Sequence, residues 1–64
     1  MEYGIHKSFE AFQNVKISGG IFDGRDGKII SRSTENVGKY YVVLNIDGRS
    51  KTEQIGVEYI QAIS

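Results

Sequence analysis

A glycine-rich segment between two runs of alternating apolar residues most constrains the fold of this chain. Val15 and Ile17 precede the segment and Ile29 follows it. Glycine readily adopts positive φ angles, which residues with side chains avoid. The segment therefore predicts a tight, shaped turn between two strands. Its structural turn residues are Gly20, Gly24 and Gly27.

Alternation of apolar and polar side chains continues along the rest of the chain. A period of two residues is typical of a half-buried strand, and it predicts strands over residues 15–18, 28–33, 40–46 and 52–57. A short turn and a last brief strand are expected within residues 59–63. The side chains expected to face the core are Val15, Ile17, Ile29, Tyr40, Val42, Leu44, Ile46, Ile55, Val57, Ile60 and Ile63.

The connections between these strands carry turn signals. Asp47-Gly48 between two apolar runs is a strong hairpin signal, so Gly48 is a fourth structural turn residue. Residues 34–39 predict a looser hairpin turn. Residues 8–12 predict a turn before the first strand, with either Phe9 or Phe12 covering one mouth of the fold.

The short length of the chain favours a curled sheet over a flat one. Its 64 residues allow one small domain, and a chain of this size buries only about 60% of its unfolded surface. Five short strands cannot bury a face as a flat sheet, but curling solves both burial and edge exposure. We expect an all-β, small five-stranded barrel over residues 9–64, after a frayed tail at residues 1–8. The barrel is SH3-like or OB-like, and the long first loop and short chain favour the SH3-like form.

Charge and cysteine content narrow the functional classes. Eight basic and eight acidic residues give zero net charge, whereas dedicated nucleic-acid binders are usually clearly basic. The chain has no cysteine, which excludes disulfides and thiolate metal sites. Its longest apolar run, residues 40–44, is far below the about 20 residues of a membrane helix. We therefore expect a cytoplasmic protein without membrane contact.

Metal binding and catalysis find little support in the residue pattern. Asp23, Asp26 and Asp47 have the placement of turn-forming aspartates and lack the calcium-loop spacing. The serines have no histidine base, because the single histidine, His6, lies in the predicted tail. The sequence predicts no enzyme, no metal and no cofactor.

Aromatic and basic side chains are the candidates for partner contact. Phe22 lies in the first turn. It is expected either to contact a partner or to pack over the mouth of the barrel. Tyr41 and Tyr59 are placed outside the expected core, and exposed tyrosines are suited to interfaces. Basic residues near the turns could bind RNA beside these aromatics, but interleaved acidic residues favour a mixed solvated surface. The basic set is Arg25, Lys28, Arg32, Lys39, Arg49 and Lys51.

Short motifs in the first half of the chain carry a family resemblance. Phe9 and Glu10 lead into the first predicted strand, and residues 20–22 (Gly-Ile-Phe) are followed by residues 27–29 (Gly-Lys-Ile). This pattern resembles the KOW domain at the C-terminus of transcription factors of the NusG family. Gly27 stands where the closing glycine of the KOW signature falls.

The second half of the chain extends the resemblance. Residues 42–49 (Val-Val-Leu-Asn-Ile-Asp-Gly-Arg) are similar to an apolar strand of the family that ends in Gly-Arg. Ile55, Val57, Ile60 and Ile63 match its final apolar spacing. The resemblance covers residues 9–63 and is spread over weak motifs.

The resemblance implies a five-stranded, KOW-type SH3-like barrel that docks other macromolecules. Domains of this kind bind proteins or RNA through apolar and aromatic side chains on the first and third turns. Phe22, Ile46 and Arg49 fall on matching positions in this chain. Arg25 and Asp47 depart from the pattern, because the family often has phenylalanine there.

Three functional hypotheses follow. The first is a non-enzymatic docking module that binds a protein of the transcription or translation machinery and is itself a monomer or weak dimer. Its contact residues are Phe22, Arg25, Ile46, Arg49 and Tyr41. The second is direct RNA or DNA binding. The third is a small accessory or inhibitor protein, from a phage or another mobile element, that occupies a host protein.

Overall fold

The computed structural model describes residues 8–63, which form five antiparallel strands in one sheet. The predicted tail at residues 1–8, with His6, lies outside the described residues except for Ser8. The strands follow the order β4-β3-β2-β1-β5, and a single 3₁₀ turn, Val57–Tyr59, precedes β5. The strands are β1 (Asn14–Ile17), β2 (Asp26–Arg32), β3 (Lys39–Ile46), β4 (Arg49–Gly56) and β5 (Ile60–Ala62). The all-β expectation is confirmed.

The core forms on the face of the sheet that carries the apolar residues of the alternating pattern. Ile46 and Val57 are half-buried and pack against the core rather than within it. The expectation for Ile63 is wrong, since its side chain is 46% exposed. β5 pairs with β1 through Ile17↔Ile60, and strand alternation then puts position 63 on the opposite face from Ile60. The buried side chains are Val15, Ile17, Ile29, Tyr40, Val42, Leu44, Ile55 and Ile60.

The connection from β4 to β5 requires the sheet to curl. These two strands are the opposite edges of the sheet, yet only Val57–Tyr59 separate them in sequence. In a flat sheet the edges would lie about 19 Å apart, given strand spacings of about 4.8 Å. Four residue steps cover at most about 14 Å. The sheet must therefore bend until its edges approach each other.

A β-bulge in β2 adds to this curvature. The β2–β3 ladder runs through Ile29↔Val42 and then Ser31↔Tyr41, so Ile30 is an extra residue. Bulges increase the local right-handed twist of a strand. The side chain of Ile30 is 38% exposed, as expected for a residue displaced from the ladder.

Phe9, rather than Phe12, covers the core. The Phe9 ring meets the edge of the Tyr40 ring at 5.4 Å and 83°, and its N–H donates to the Tyr40 hydroxyl at 3.2 Å. Phe12 is 75% exposed and has a φ of 67°. Phe12 contributes to the fold through its backbone, since its N–H donates a hydrogen bond to the Ile29 carbonyl at 2.7 Å.

The glycines of the first turn have two different physical roles. Gly20 and Gly24 have φ angles of 75° and 85°, which agrees with the conformational argument. Gly27 lies within β2 instead of the turn and does not have positive φ. A Cβ atom there would lie 2.6 Å from Cγ1 of Val42 and 2.9 Å from Cδ2 of Leu44. Gly27 is therefore required by close packing.

The β3–β4 hairpin has the expected two-residue turn. Asp47 and Gly48 have φ angles of 53° and 79°, and Ile46 pairs with Arg49 across the turn. Two successive positive φ angles define a type I′ turn, whose twist matches that of the strands it joins. Gly48 supplies the second of these angles at no steric cost.

Replacing Gly27 by alanine should destabilise the protein by about 1–3 kcal/mol, because the new methyl group overpacks a buried site. Gly56→Ala is the matched control. Gly56 has a φ of −63°, and its added Cβ would meet only the flexible Glu58 carboxylate. Urea unfolding of both variants measures the difference. Equal midpoints for Gly27→Ala and the parent would contradict the packing role of Gly27.

Candidate functional site

The first loop, residues 18–25, is held in one shape by backbone and side-chain hydrogen bonds. The Ile17 N–H donates to the Arg25 carbonyl, and the Gly24 N–H donates to the Ile17 carbonyl, both at 2.8 Å. Within the loop, Oδ1 of Asp23 accepts a hydrogen bond from the Gly19 N–H at 2.6 Å. Asp23 thus stabilises the loop from inside, as turn aspartates do.

The same loop lies directly on the 3₁₀ turn before β5. The Ser18 N–H donates to the Tyr59 carbonyl at 2.7 Å. Gly19 has a φ of 105°, and a Cβ there would lie 3.0 Å from Cδ1 of Tyr59. Only glycine combines this backbone conformation with such a close approach to an aromatic ring. The loop and the 3₁₀ turn are therefore one packed unit.

A concave site, here called the loop groove, lies between this unit and the second half of β4. Its volume is about 270 Å³. The groove runs from the first loop to the start of β3 and the end of β4. It is lined by Ile17, Gly19, Gly20, Ile21, Phe22, Lys39, Glu53, Gln54, Ile55, Gly56 and Tyr59.

The loop groove has an apolar floor and an exposed apolar wall. Ile17 and Ile55 are buried, and Phe22 is half-buried against the core. Ile21 is 91% exposed and Tyr59 is 41% exposed. Concave apolar sites with a few placed polar groups are the usual form of binding pockets. The groove can therefore accept apolar side chains of a partner.

The side chain of Gln54, at the end of β4, is held by a hydrogen-bond network. Its Oε1 accepts hydrogen bonds from Oγ of Ser33 at 2.7 Å and from Nδ2 of Asn36 at 2.8 Å. Its Nε2 donates to Oε1 of Glu35 at 3.0 Å. Gln54 thus ties β4 to the β2–β3 loop, residues 33–38. This network fixes the Gln54 side chain on the outer face of β4, the face that also carries Tyr41.

The structure distributes the site residues predicted from sequence over three places. Phe22 lines the loop groove, and its half-buried position shows that it also packs on the core. Arg25 lies just before β2, at the end of the sheet where Ile46 and Arg49 close the β3–β4 hairpin. Tyr41 is half-buried on the opposite face from Tyr40, and its hydroxyl lies 3.4 Å from Oγ1 of Thr34.

Ile21, the most exposed large apolar residue of the groove, is not among the site residues that the sequence predicts. Its signal in the sequence is an isoleucine at the tip of a turn, directly after a glycine and far from the alternating strand pattern. Gly19 was also missed, although it precedes Gly20 and carries the tightest contact of the loop. Tyr59 was noted only as an exposed tyrosine.

Several basic side chains already have partners in the fold. Nζ of Lys16 lies 3.9 Å from Oδ1 of Asp26, and Nζ of Lys51 lies 3.3 Å from Oε2 of Glu53. The Arg32 guanidinium lies 5.9 Å from the centre of the buried Tyr40 ring. These contacts reduce the positive charge offered to a nucleic acid.

Two further features describe the chain within residues 8–63. No group of three or more His, Cys, Asp or Glu side chains converges there in a way that could hold a metal ion. No helix in that range is both long and apolar enough to span a bilayer.

Replacing Asp23 by alanine should loosen the first loop, because the Gly19 N–H loses its acceptor. Losing one such hydrogen bond should make hydrogen exchange at the Gly19 amide about twofold to tenfold faster. Asp26→Ala is the control, since its ion pair with Lys16 is exposed and weak. NMR-detected exchange compares the two variants. Unchanged exchange at Gly19 in Asp23→Ala would contradict the role given to Asp23.

Comparison with known proteins gives no relatives: the chain matches no family model, no curated protein and no solved structure. The function is therefore inferred from the geometry of the groove.

Proposed function

We propose that the protein is a non-enzymatic docking module that binds a segment of a protein partner in the loop groove. The observation that carries this proposal is Ile21, which is 91% exposed on a loop held by the Asp23–Gly19 hydrogen bond. A large apolar side chain held rigidly in water gains free energy when a partner covers it. Full burial of such a side chain is worth about 1.5–3 kcal/mol.

Preorganisation strengthens the case for docking. Association is opposed by the ordering of loops and side chains at an interface. Here the first loop is packed on Tyr59 and is closed by the hydrogen bond between Asp23 and Gly19. Little ordering remains to be done when a partner binds, so a small groove can still give useful affinity.

The class of partner follows from the resemblance to KOW domains. Those domains act on the transcription and translation machinery, and we assign this module the same cytoplasmic setting. Arg25, Ile46 and Arg49 share one end of the sheet and form a second contact region. This region is at the opposite end of the β3–β4 ladder from Lys39 and Gly56, which line the groove. Arginine supplies a directed fork of hydrogen-bond donors to such a contact.

Charge favours a protein partner over a nucleic acid. The chain has zero net charge, and the groove is lined by one acidic residue, Glu53, and one basic residue, Lys39. Because phosphate contacts supply essentially all of non-specific nucleic-acid affinity, a neutral surface with paired lysines binds RNA or DNA weakly. An inhibitor that occupies a host protein would use the same groove.

Replacing Ile21 by serine should weaken partner binding about tenfold or more and leave stability almost unchanged, since the side chain is exposed. Val37→Ser is the matched control, because Val37 is fully exposed on the β2–β3 loop and does not line the groove. Binding to purified ribosomes and to RNA polymerase, measured by biolayer interferometry, compares both variants with the parent. Phe22→Ala is less suitable because it also disturbs the core.

Two outcomes would count against the proposal. Equal binding of the parent and Ile21→Ser would remove the groove from the interface. Binding only to single-stranded RNA or duplex DNA, with a steep loss between low and high salt, would instead support the nucleic-acid hypothesis.

A further inference from the structure

The outer edge of β4 presents backbone groups that no strand within residues 8–63 uses. Ile46 and Arg49 close a two-residue hairpin and so form a hydrogen-bonded pair. Hydrogen-bonded and non-hydrogen-bonded pairs alternate along an antiparallel ladder. Ser50, Thr52 and Gln54 therefore direct their backbone N–H and C=O groups away from β3. Within residues 8–63 no other strand pairs with this edge.

We propose that this edge pairs antiparallel with the same edge of a second copy of the chain, centred on Thr52. In this register Thr52 faces Thr52 of the second copy, and Ser50 faces its Gln54. All of these residues have outward-directed backbone groups, so each facing pair exchanges two hydrogen bonds. The hydrogen-bonding groups of the two copies match because the outward-directed N–H and C=O groups of β4 are arranged symmetrically about Thr52.

Charged side chains on one face of β4 complement each other in this register. Lys51 and Glu53 lie opposite Leu44 and Val42 in the β3–β4 ladder, so they share the inner face. Within one chain Nζ of Lys51 lies 3.3 Å from Oε2 of Glu53. Across the paired edges, each Lys51 would face Glu53 of the other copy. Opposite charges directly across two strands stabilise their pairing.

Each of the two neighbouring registers places one pair of like charges opposite each other. The hydrogen-bonding pattern allows only shifts of two residues along the edge. One such shift centres the pairing on Lys51 and places it opposite Lys51 of the second copy. The other centres the pairing on Glu53 and places two carboxylates opposite each other. Like charges directly opposite are destabilising, so charge disfavours the Glu53-centred register. The Lys51-centred register also places Arg49 opposite Glu53 at both symmetric contacts. The double variant Lys51→Glu/Glu53→Lys separates this register from the Thr52-centred one, because it makes those two contacts repulsive.

The side chains on the outer face are compatible with this arrangement. Ser50, Thr52 and Gln54 lie opposite Asn45, Val43 and Tyr41 in the ladder and so share that face. Cross-strand threonine pairs are favourable in antiparallel sheets. Such a pairing buries less area than a standard interface, so the dimer is weak, with a dissociation constant on the order of 0.1–1 mM.

Charge exchange at positions 51 and 53 tests the proposal. Lys51→Glu and Glu53→Lys, each alone, place like charges opposite each other at both symmetric contacts. Each should weaken self-association about tenfold or more. The double variant Lys51→Glu/Glu53→Lys restores opposite charges and should self-associate like the parent. Sedimentation equilibrium over a range of concentrations up to about 2 mM measures these affinities.

Mixing the two single variants tests the cross-strand charge contacts most directly. One variant carries two acidic side chains and the other two basic side chains at these positions, so a mixed dimer has opposite charges at every cross-strand contact. The mixture should associate more strongly than either variant alone. Lys28→Glu and Glu10→Lys carry the same charge changes at exposed positions away from β4 and should associate like the parent.

NMR locates the interface independently of the variants. Raising the concentration of the parent should shift the amides of Ser50, Thr52 and Gln54 and slow their hydrogen exchange. A parent that stays monomeric at about 2 mM would overturn the proposal, as would shifts confined to other strands. A mixture that associates no better than its components would also overturn it. If a single variant fails to fold, the double variant and the amide shifts still decide the question.

Discussion

The short connection between the two edges of the sheet is the constraint on which the rest of the structure depends. β4 ends at Gly56 and β5 begins at Ile60, so the sheet must bend around its apolar face. This bending places the β1–β5 ladder beside the first loop and buries Ile60 fully. It also fixes the position of Tyr59, on which the first loop rests. A longer connection would not have imposed the same curvature.

The loop groove is a consequence of that curvature together with three local interactions. Asp23 shapes the first loop, Gly19 allows it to approach Tyr59, and Gln54 ties the end of β4 to the β2–β3 loop. Asp23 and Gly19 flank the exposed Ile21, so their hydrogen bond closes the loop around it. The loop that carries Ile21 is thus held by hydrogen bonds and by packing against the 3₁₀ turn.

The strands could be predicted from the sequence because burial on one face leaves a period of two residues. Alternation identified Tyr40, Val42 and Leu44 as core residues, and all three are buried. It failed at Ile63, since spacing alone does not show where a turn ends and a strand resumes. The groove could not be predicted in the same way. Its walls come from the first loop and the end of β4, which only the curled sheet brings together.

β4 contributes both to the loop groove and to the free edge of the sheet. Glu53 and Gln54 line the loop groove, while the backbone N–H and C=O groups of Gln54 face away from β3. If a ligand fills the groove and a second copy pairs with the edge as proposed, the two events are thermodynamically linked through Glu53. A ligand that draws the Glu53 carboxylate into the groove changes the affinity of edge pairing by some factor. By reciprocity, edge pairing changes the affinity for that ligand by the same factor.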